Sequence, residues 1–282
     1  MSATQVWFIT GCSRGIGRAI AEAALEAGHQ VAATARDPKT MDAMISAYPD
    51  RSLGLPLDVN DPEQVSNAVG KAIDHFGRID VLVNNAGYGL QGTVEELESA
   101  KIRRQLDTNF FGLVDVTQEV LPSMRAQQSG YIFNISSIAG LRGMAGFGIY
   151  NASKFAVNGM SEALAQEVKG HGIKVSVVEP GPYRTDWAGN SLERSGAVLS
   201  EHSNSPYAEL NTQQTAILAK TSGKQPGDPR QIAAVLLEAA QAERPPMHMV
   251  FGDPAVASIQ KHLQRLQDGK FMAFYPHDKY TL

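Results

Sequence analysis

The sequence predicts an α/β fold in which one parallel sheet of about seven strands is covered by helices on both faces. Two observations lead to this prediction. Short runs that are apolar throughout alternate with longer segments in which apolar residues recur at helical spacing. Strands without a polar face are typical of parallel sheets that are buried on both sides. Because no internal repeat interrupts the alternation, residues 1–282 are treated as a single domain with one sizeable core.

Four of the strands fall in the first third of the chain. The first is followed by apolar residues at offsets of 4, 7, 8 and 11 from Ile16, which form one face of a helix that Gly28 can end. Another helix follows the third strand, where Asp61 can cap the first turn and Pro62 suits the first position. The four strands are predicted at residues 6–10, 30–35, 52–59 and 79–83.

The rest of the chain continues the alternation. A long helix is predicted from about Leu97 to Leu121, where Pro122 would end it. Further strands are predicted at residues 131–135, 173–178 and 247–251, and further helices at 149–168 and 231–242. The last helix, within residues 253–282, carries on one face the apolar residues Val256, Ile259, Leu263 and Leu266.

Two segments depart from this pattern. Residues 186–228 are rich in Ser, Gly, Asn and Glu and contain no clear strand. They follow the sixth strand, where open α/β sheets place ligand-binding loops, so we predict that they cover a substrate; a surface insertion is the alternative. The tail at residues 271–276 is aromatic and can pack over its own subunit or reach a neighbour, because aromatic residues are favoured at interfaces.

The composition excludes several classes of function. Lys and Arg number 25 and Asp and Glu number 29, and this net charge of −4 without a basic block argues against nucleic-acid binding. The single cysteine, Cys12, excludes an internal disulfide, and the seven histidines lack metal-binding spacing, so we expect no metal. No apolar run reaches the roughly 18 residues of a membrane span. The N-terminus has no signal pattern, so we expect a cytoplasmic protein without membrane attachment.

The strongest local signal is a glycine-rich turn that joins the first strand to the first helix. It reads Thr10-Gly11-Cys12-Ser13-Arg14-Gly15-Ile16-Gly17. Glycine permits sharp turns and lets a phosphate approach main-chain N–H groups, and a helix N-terminus offers unpaired donors and a favourable dipole. A glycine-rich turn between a strand and a helix predicts a dinucleotide-binding site.

Three further motifs follow this turn, namely Asn84-Asn85-Ala86-Gly87, Tyr150-x-x-x-Lys154 and Pro180-Gly181. In this order, and on these predicted elements, the four motifs resemble the short-chain dehydrogenase/reductase family in its single-domain branch. The resemblance covers roughly residues 5–252. It implies a doubly wound, Rossmann-like sheet, a nicotinamide cofactor, and oxidoreductase activity on a carbonyl or an alcohol.

The residues after the second strand indicate which nicotinamide cofactor is used. An acidic residue at the strand end would hold the ribose diol and repel a 2′-phosphate, but the strand ends at Ala35 and Arg36 follows. Arg36 and Arg14 can bind the 2′-phosphate, because a guanidinium group binds phosphate through a bidentate fork. We therefore predict NADP(H) in preference to NAD(H). Asp37, which can face outward or reach a ribose, is the open point.

The resemblance implies the remaining cofactor contacts. Asp58 matches a family residue that contacts the adenine ring, and Asn85 and Gly87 would border the adenosine ribose. The complete set of predicted cofactor-binding residues is Gly11, Ser13, Arg14, Ile16, Arg36, Asp58, Val59, Asn85, Ala86, Gly87, Tyr150, Lys154, Pro180, Gly181, Tyr183 and Thr185.

Tyr150 and Lys154 are four residues apart on one predicted helix and therefore lie on the same face. A free tyrosine has a pKa near 10, and we expect the nearby ammonium group, with the positive charge of an oxidised nicotinamide, to lower it. In the reductive direction, Tyr150 would donate its proton to a carbonyl oxygen as hydride reaches the carbon. The resemblance gives Lys154 a second role, in which it holds the nicotinamide ribose.

Two polar residues complete the predicted catalytic group. Ser137 lies thirteen residues before Tyr150, the spacing seen in the family, and its hydroxyl can orient the substrate oxygen. Ser136 is its neighbour and competitor. Asn109, an asparagine inside a predicted helix, matches the family residue that holds a water beside the lysine. The predicted tetrad is Asn109, Ser137, Tyr150 and Lys154.

The substrate is less well specified. Met144, Phe147 and Trp187 indicate an apolar pocket and hence a hydrophobic ketone or secondary alcohol. A 3-oxoacyl thioester reductase is an alternative, although no basic patch marks a site for a carrier arm. A dinucleotide-sensing regulator without catalysis is another, although such proteins tend to lose the tyrosine or the lysine. Related enzymes are usually dimers or tetramers, so we expect a homodimer or homotetramer.

Overall fold

A computed structural model describes residues 3–189, 191–199 and 204–268 of the chain. The strands are β1 (Val6–Ile9), β2 (Gln30–Ala35), β3 (Ser52–Pro56), β4 (Val81–Asn84), β5 (Gly89–Gln91), β6 (Gly130–Ile135), β7 (Ile173–Pro180), β8 (Leu192–Arg194) and β9 (His248–Phe251). Seven of them form one sheet in the order β3-β2-β1-β4-β6-β7-β9, with every neighbouring pair parallel. This confirms the predicted α/β architecture with its seven-stranded, Rossmann-like parallel sheet.

Helices cover both faces of the sheet. They are α1 (Gly15–Glu26), α2 (Asp42–Ala47), α3 (Pro62–Phe76), α4 (Ser99–Leu106), α5 (Gly112–Gln127), α6 (Gly148–Val168), α7 (Gly196–Leu199), α8 (Ala208–Thr221), α9 (Pro229–Gln241) and α10 (Asp253–Asp268). Buried residues of α1 and α9 pack on one face, and those of α3, α5 and α6 pack on the other. Among the described residues, no helix combines the length and the apolar character that crossing a membrane requires.

Alternation along the strands divides the core into two layers. Trp7 and Ile9 of β1 point to the α1 and α9 side, whereas Phe8 between them points to the side of α3 and α5. Both sets of side chains are fully buried. β1 packs against an apolar layer on each face, which explains why its run of residues in the sequence is apolar throughout.

The predicted end of the long helix, at Pro122, is wrong. The structure continues α5 past Pro122 to Gln127, where Gln128 takes a left-handed conformation with φ of 52°. Val116, Val120 and Met124 form one buried stripe on this helix, and Met124 lies beyond the proline. A proline inside a helix costs about 3 kcal/mol, and burying a side chain such as methionine recovers about 1.5–3 kcal/mol. Burial of Met124 in the core therefore stabilises the continuation of α5 beyond Pro122.

The same predicted helix is interrupted at its centre. Asp107–Phe111 forms a π-helical turn between α4 and α5, and Asn109 lies inside it. Turns of this kind often occur at functional sites, because the extra residue moves a side chain out of the regular helical register. The third strand also ends earlier than predicted, at Pro56 instead of Val59, and Leu57 through Val59 lead from the sheet toward the cleft.

The described residues within 186–228 contain more regular structure than the sequence predicted. The expectation that they contain no strand is wrong, since β8 pairs in parallel with β5. A three-residue strand is too short for the alternation of its side chains to be visible in the sequence. In α8, the apolar residues Ile217 and Leu218 line the cleft instead of facing the core. The C-terminal helix appears as α10, but the aromatic tail at residues 271–276 lies outside the described residues.

Candidate active site

A large cleft lies at the carboxyl ends of the parallel strands, beside the point where the strand order reverses between β1 and β4. Ligands of open α/β sheets bind at such switch points. The cleft has a volume of about 910 Å³. All of the predicted cofactor-binding residues line it, and so do Ser137, Tyr150 and Lys154. Asn109 is instead buried beneath its floor.

The glycine-rich turn forms one wall of the cleft in a conformation that favours glycine. Gly11 and Gly15 have φ values of +73° and +64°. A Cβ on Gly11 would lie 3.1 Å from both the Ala86 Cα and the Asn85 Nδ2. Asn85 Nδ2 donates hydrogen bonds to the carbonyl oxygens of Thr10 and Gly11, at 2.8 and 3.0 Å. These bonds tie the turn to the segment after β4, so the two motifs form one rigid surface.

The start of α1 is suited to a phosphate. Arg14 occupies the N-cap position with extended backbone, its side chain makes no capping hydrogen bond, and the first turn contains no acidic residue. The N–H groups of this turn and the positive end of the helix dipole are therefore presented to the cleft. Together with the absence of side chains at Gly11 and Gly15, this wall fits the pyrophosphate of a dinucleotide.

The structure resolves the position of Asp37. Its Oδ1 accepts the Lys39 N–H at 3.1 Å and caps the short turn Pro38–Met41. Asp37 is therefore engaged outside the cleft, whereas Arg36 is exposed on the rim and lines it. Arg14 lies on the same wall, with Nη1 at 3.7 Å from Asp186 Oδ2.

Tyr150 stands in the first turn of α6 and is only 6% exposed. Burial raises the pKa of its hydroxyl to about 12, while hydrogen bonds with Ser137 and Trp187 act in the opposite direction. This shift is opposite to the predicted one. The reason is that desolvation of a phenolate outweighs the hydrogen bonds with Ser137 and Trp187.

Lys154 lies one helical turn further on and is also buried. Its Nζ donates to the Ile135 carbonyl oxygen at 2.8 Å. Burial lowers the pKa of this ammonium group to about 8. A Cβ on Gly87 would lie 3.7 Å from Nζ, so the lysine is adjacent to the wall that the sequence assigns to a ribose.

The two neighbouring serines have different surroundings. Ser137 Oγ accepts the Ala139 N–H at 3.1 Å, caps the short helical turn Ile138–Gly140, and bonds to Tyr150. Ser136 Oγ donates to the Lys154 carbonyl oxygen at 3.2 Å, on the buried side of the helix. These contacts favour Ser137 as the serine that faces a substrate.

Asn109 has direct protein partners for both ends of its amide. Its Oδ1 accepts the Tyr88 N–H at 3.0 Å, and its Nδ2 donates to the Tyr88 carbonyl oxygen at 3.0 Å and to Ser153 Oγ at 3.2 Å. It therefore connects the segment after β4 to α6 beneath the cleft. This arrangement supports the site from below.

The other end of the cleft is apolar and centres on Trp187. Its ring lies 5.5 Å from that of Tyr150 and 6.1 Å from that of Phe147, between ring centroids. A Cβ on Gly89 would come within 2.5 Å of Trp187 Cζ2, so this glycine leaves room for the indole. Met144, Leu192 and Leu218 pack in the same cluster.

Sequence reasoning missed two features of this region. Arg104 of α4 forms an ion pair with Glu193 of β8 across the cleft rim, and β5 pairs with β8 beside it. Both contacts join residues about ninety to one hundred positions apart in the sequence, where no local periodicity could signal them. By contrast, the π-helical turn at Asn109 had a weak signal, because an asparagine inside a predicted helix is locally unfavourable.

Comparison with known proteins places the chain in a family. The model of the short chain dehydrogenase family matches residues 5–196, and the chain belongs to this family and is an oxidoreductase. The oxidoreductase BOA17 of Botryotinia fuckeliana is 42% identical over 254 residues, which cover 90% of each chain. The 3-ketodihydrosphingosine reductase of Bacteroides thetaiotaomicron is 37% identical over 248 residues, which cover 88% of each chain.

Solved structures agree with this assignment. A short-chain dehydrogenase from Streptomyces avermitilis superimposes with a TM-score of 0.86 at 39% identity, covering 94% of this chain and 95% of that one. A metagenomic short-chain oxidoreductase, solved in complex with NADP, has a TM-score of 0.68 at 26% identity and covers 88% and 96% of the two chains. A nicotinamide dinucleotide is thus the cofactor that both the family and the cleft indicate.

Proposed function

We propose that this protein is an NADP(H)-dependent carbonyl reductase that reduces hydrophobic ketones and, in reverse, oxidises the corresponding secondary alcohols. One observation carries the proposal. The buried Tyr150 hydroxyl, bonded to Ser137, lies at the junction between the glycine-rich wall of the cleft and its apolar end. A ketone held in the apolar end with its oxygen near Tyr150 therefore faces the wall that suits a dinucleotide.

The protonation state of Tyr150 supports the reductive direction. A phenolate at pH 7 would require the pKa to fall from about 12 to 7, which corresponds to about 7 kcal/mol. One positive charge at 4 Å supplies about 4 kcal/mol at the effective dielectric constant of such sites. The protein on its own therefore holds Tyr150 in the protonated form, which is the form that donates a proton to a carbonyl oxygen.

The other residues of the cleft position the reactants. Ser137 donates its hydroxyl proton to the substrate oxygen and orients it toward Tyr150. Lys154 remains mostly protonated near pH 7, because its pKa of about 8 lies above that value. It adds positive potential where negative charge develops on the oxygen. When bound, the reduced nicotinamide supplies the hydride.

The preference for NADP(H) follows from the adenosine end of the cleft. Arg36 stands exposed on the rim after β2, and Arg14 lies on the same side. The nearby acidic residue, Asp37, has its carboxylate committed to a turn outside the cleft. Two guanidinium groups on this side of the cleft favour a 2′-phosphate, although Arg14 is also paired with Asp186.

The apolar end of the cleft supports a hydrophobic substrate. Six side chains that line it are apolar: Met144, Phe147, Trp187, Leu192, Ile217 and Leu218. Pockets of this kind bind through apolar burial and use a few polar groups for orientation. The name of the Bacteroides relative, a 3-ketodihydrosphingosine reductase, likewise describes the reduction of a ketone.

The proposal is tested by NADPH consumption with a panel of aryl, alkyl and cyclic ketones. We expect turnover with hydrophobic ketones and faster turnover with NADPH than with NADH at equal concentration. NADPH binding without turnover across the panel would contradict the proposal and favour the dinucleotide sensor. Turnover restricted to 3-oxoacyl thioesters would contradict the substrate assignment and favour the thioester reductase.

A further inference from the structure

Glu179, near the end of β7, is a fully buried carboxyl group close to the cleft. Its Oε1 accepts the Asn158 amide at 2.7 Å and contacts His248 Nδ1 at 3.0 Å. Its Oε2 is buried and has no hydrogen-bond partner among the described residues. Burying a carboxyl group is costly, and neither the predicted catalytic residues nor the predicted cofactor contacts include Glu179.

The contact with Glu179 fixes the orientation of the Asn158 amide. Asn158 Nδ2 donates to Glu179 Oε1 at 2.7 Å and to the Gly140 carbonyl oxygen at 3.2 Å. An amide nitrogen has two hydrogens, so both are used. Rotating the amide by half a turn would set Asn158 Oδ1 against two acceptors. Without Glu179, only the Gly140 carbonyl oxygen would select between the two orientations.

Gly140 connects Asn158 to the turn that Ser137 caps. Its N–H donates to the Ser137 carbonyl oxygen at 2.8 Å, which closes the turn that Ser137 caps. A Cβ on Gly140 would lie 2.8 Å from Asn158 Oδ1 and 2.8 Å from the Lys154 carbonyl oxygen, so the turn rests directly on α6. Asn151 holds the other side of the turn by donating to the Ala139 carbonyl oxygen at 2.8 Å.

We propose that Glu179 is a positioning residue for Ser137. It orients Asn158, Asn158 holds Gly140 against α6, and the resulting turn sets Ser137 Oγ against the Tyr150 hydroxyl. His248 contacts the same carboxylate oxygen from β9, and its Nε2 lies 3.3 Å from Glu162 of α6, so the carboxyl group is held from the surface side as well. The catalytic half of this inference, that Glu179 affects turnover through Ser137, rests on the proposed function. The structural half, that Glu179 holds the turn in place, does not.

Two substitutions separate the hydrogen bond from the charge. Glu179→Gln keeps an oxygen that accepts the Asn158 amide, and Glu179→Met replaces it with an apolar chain of similar length. We expect kcat per folded enzyme to fall between about ten- and a hundredfold in Glu179→Met, because small displacements of positioning groups have effects of this size. We expect Glu179→Gln to stay within about threefold of the wild type, and the Kd for NADPH to change less than about twofold in both.

The same substitution made in a Ser137→Ala protein tests whether Glu179 acts through Ser137. In Ser137→Ala, we expect Glu179→Met to cause no further loss of kcat, because the residue through which it acts is gone. The full loss in that background would overturn the inference, and so would a wild-type kcat in Glu179→Met. If Glu179→Met does not fold, Asn158→Ala serves the same test with the same expectations. Ser176→Ala, a buried polar substitution on the same strand but away from the turn, is the control and should leave kcat unchanged.

Hydrogen exchange provides a readout that does not depend on turnover. In Glu179→Met, we expect faster exchange at the amides of residues 140 and 141, which bond within the turn, and unchanged exchange in β6. This result would support the structural half even if no ketone proves to be a substrate. Unchanged exchange at these amides would overturn the inference even if the wild type reduces ketones.

Discussion

Burial shifts the pKa values of the two titratable residues of the candidate tetrad in opposite directions. It raises the pKa of Tyr150 to about 12 and lowers that of Lys154 to about 8. Both shifts favour the uncharged form, as expected where water is excluded. Consequently, Lys154 is the group that changes its charge closest to neutral pH, whereas Tyr150 keeps its proton throughout that range.

This difference predicts the pH profile. Below pH 8 the Lys154 ammonium is charged, and above it the charge is lost, so kcat/KM for ketone reduction should fall as the pH rises through about 8. In Lys154→Arg the fall should disappear, since arginine stays protonated, although we expect a rate about tenfold lower from the altered geometry. Rates measured between about pH 6 and 10 test this. The same fall in both proteins would assign it to another group.

Arg36 provides a prediction about cofactor choice. Its substitution by Ala removes a charged donor from the rim and should weaken NADPH binding about tenfold, the effect of a hydrogen bond to a charged group. NADH binding should be unchanged, because NADH lacks the 2′-phosphate. Fluorescence titrations of both cofactors measure this difference. Arg230→Ala, an exposed arginine of α9 outside the cleft, is the matched control. Equal weakening of NADPH and NADH in Arg36→Ala would contradict the assignment.

Among the elements, the short turn Asp186–Ala188 connects the two ends of the cleft. Asp186 pairs with Arg14 of the glycine-rich turn, and Trp187 packs on Tyr150. Thr185, just before the turn, lies against Gly15, since a Cβ there would be 3.7 Å from its side chain. If Arg14 binds a cofactor phosphate as proposed, Asp186 would compete with that phosphate for it.

Removing this competition should strengthen cofactor binding. An exposed ion pair is worth up to about 1 kcal/mol, so Asp186→Asn should lower the Kd for NADPH by up to about fivefold. Asp228→Asn breaks the pair with Arg184, which is equally exposed, and keeps a good N-cap residue for α9, so it serves as the control. A weaker binding of NADPH in Asp186→Asn would show that Asp186 supports the phosphate site instead of competing with it.

Elements with a clear period were predictable from the sequence, and elements without one were not. The face from Ile16 onward placed α1 within a residue or two, and Asp61 with Pro62 placed the start of α3. The strands β5 and β8 have three residues each, which is too short for alternation to be visible. The continuation of α5 through Pro122 depends on burial of Met124, which local propensity does not include.

At the scale of the whole molecule, the cleft is built by residues that are distant in the sequence. Spacing could place Tyr150 next to Lys154, because four residues make one helical turn. It could not show that Asn158 reaches Glu179 or that Arg104 reaches Glu193, because these contacts depend on how elements pack. It also could not give the pKa of Tyr150, which is set by the depth of burial.

The central claim is that Tyr150 donates the proton in an NADPH-dependent reduction. It is tested most directly by comparing the wild type with Tyr150→Phe on the best ketone of the panel, while NADPH binding is measured for both proteins. We expect the rate to fall by about a hundredfold or more, the contribution of a positioned general acid, with NADPH binding retained. A Tyr150→Phe protein that binds NADPH and reduces the ketone within about twofold of the wild-type rate would contradict the claim.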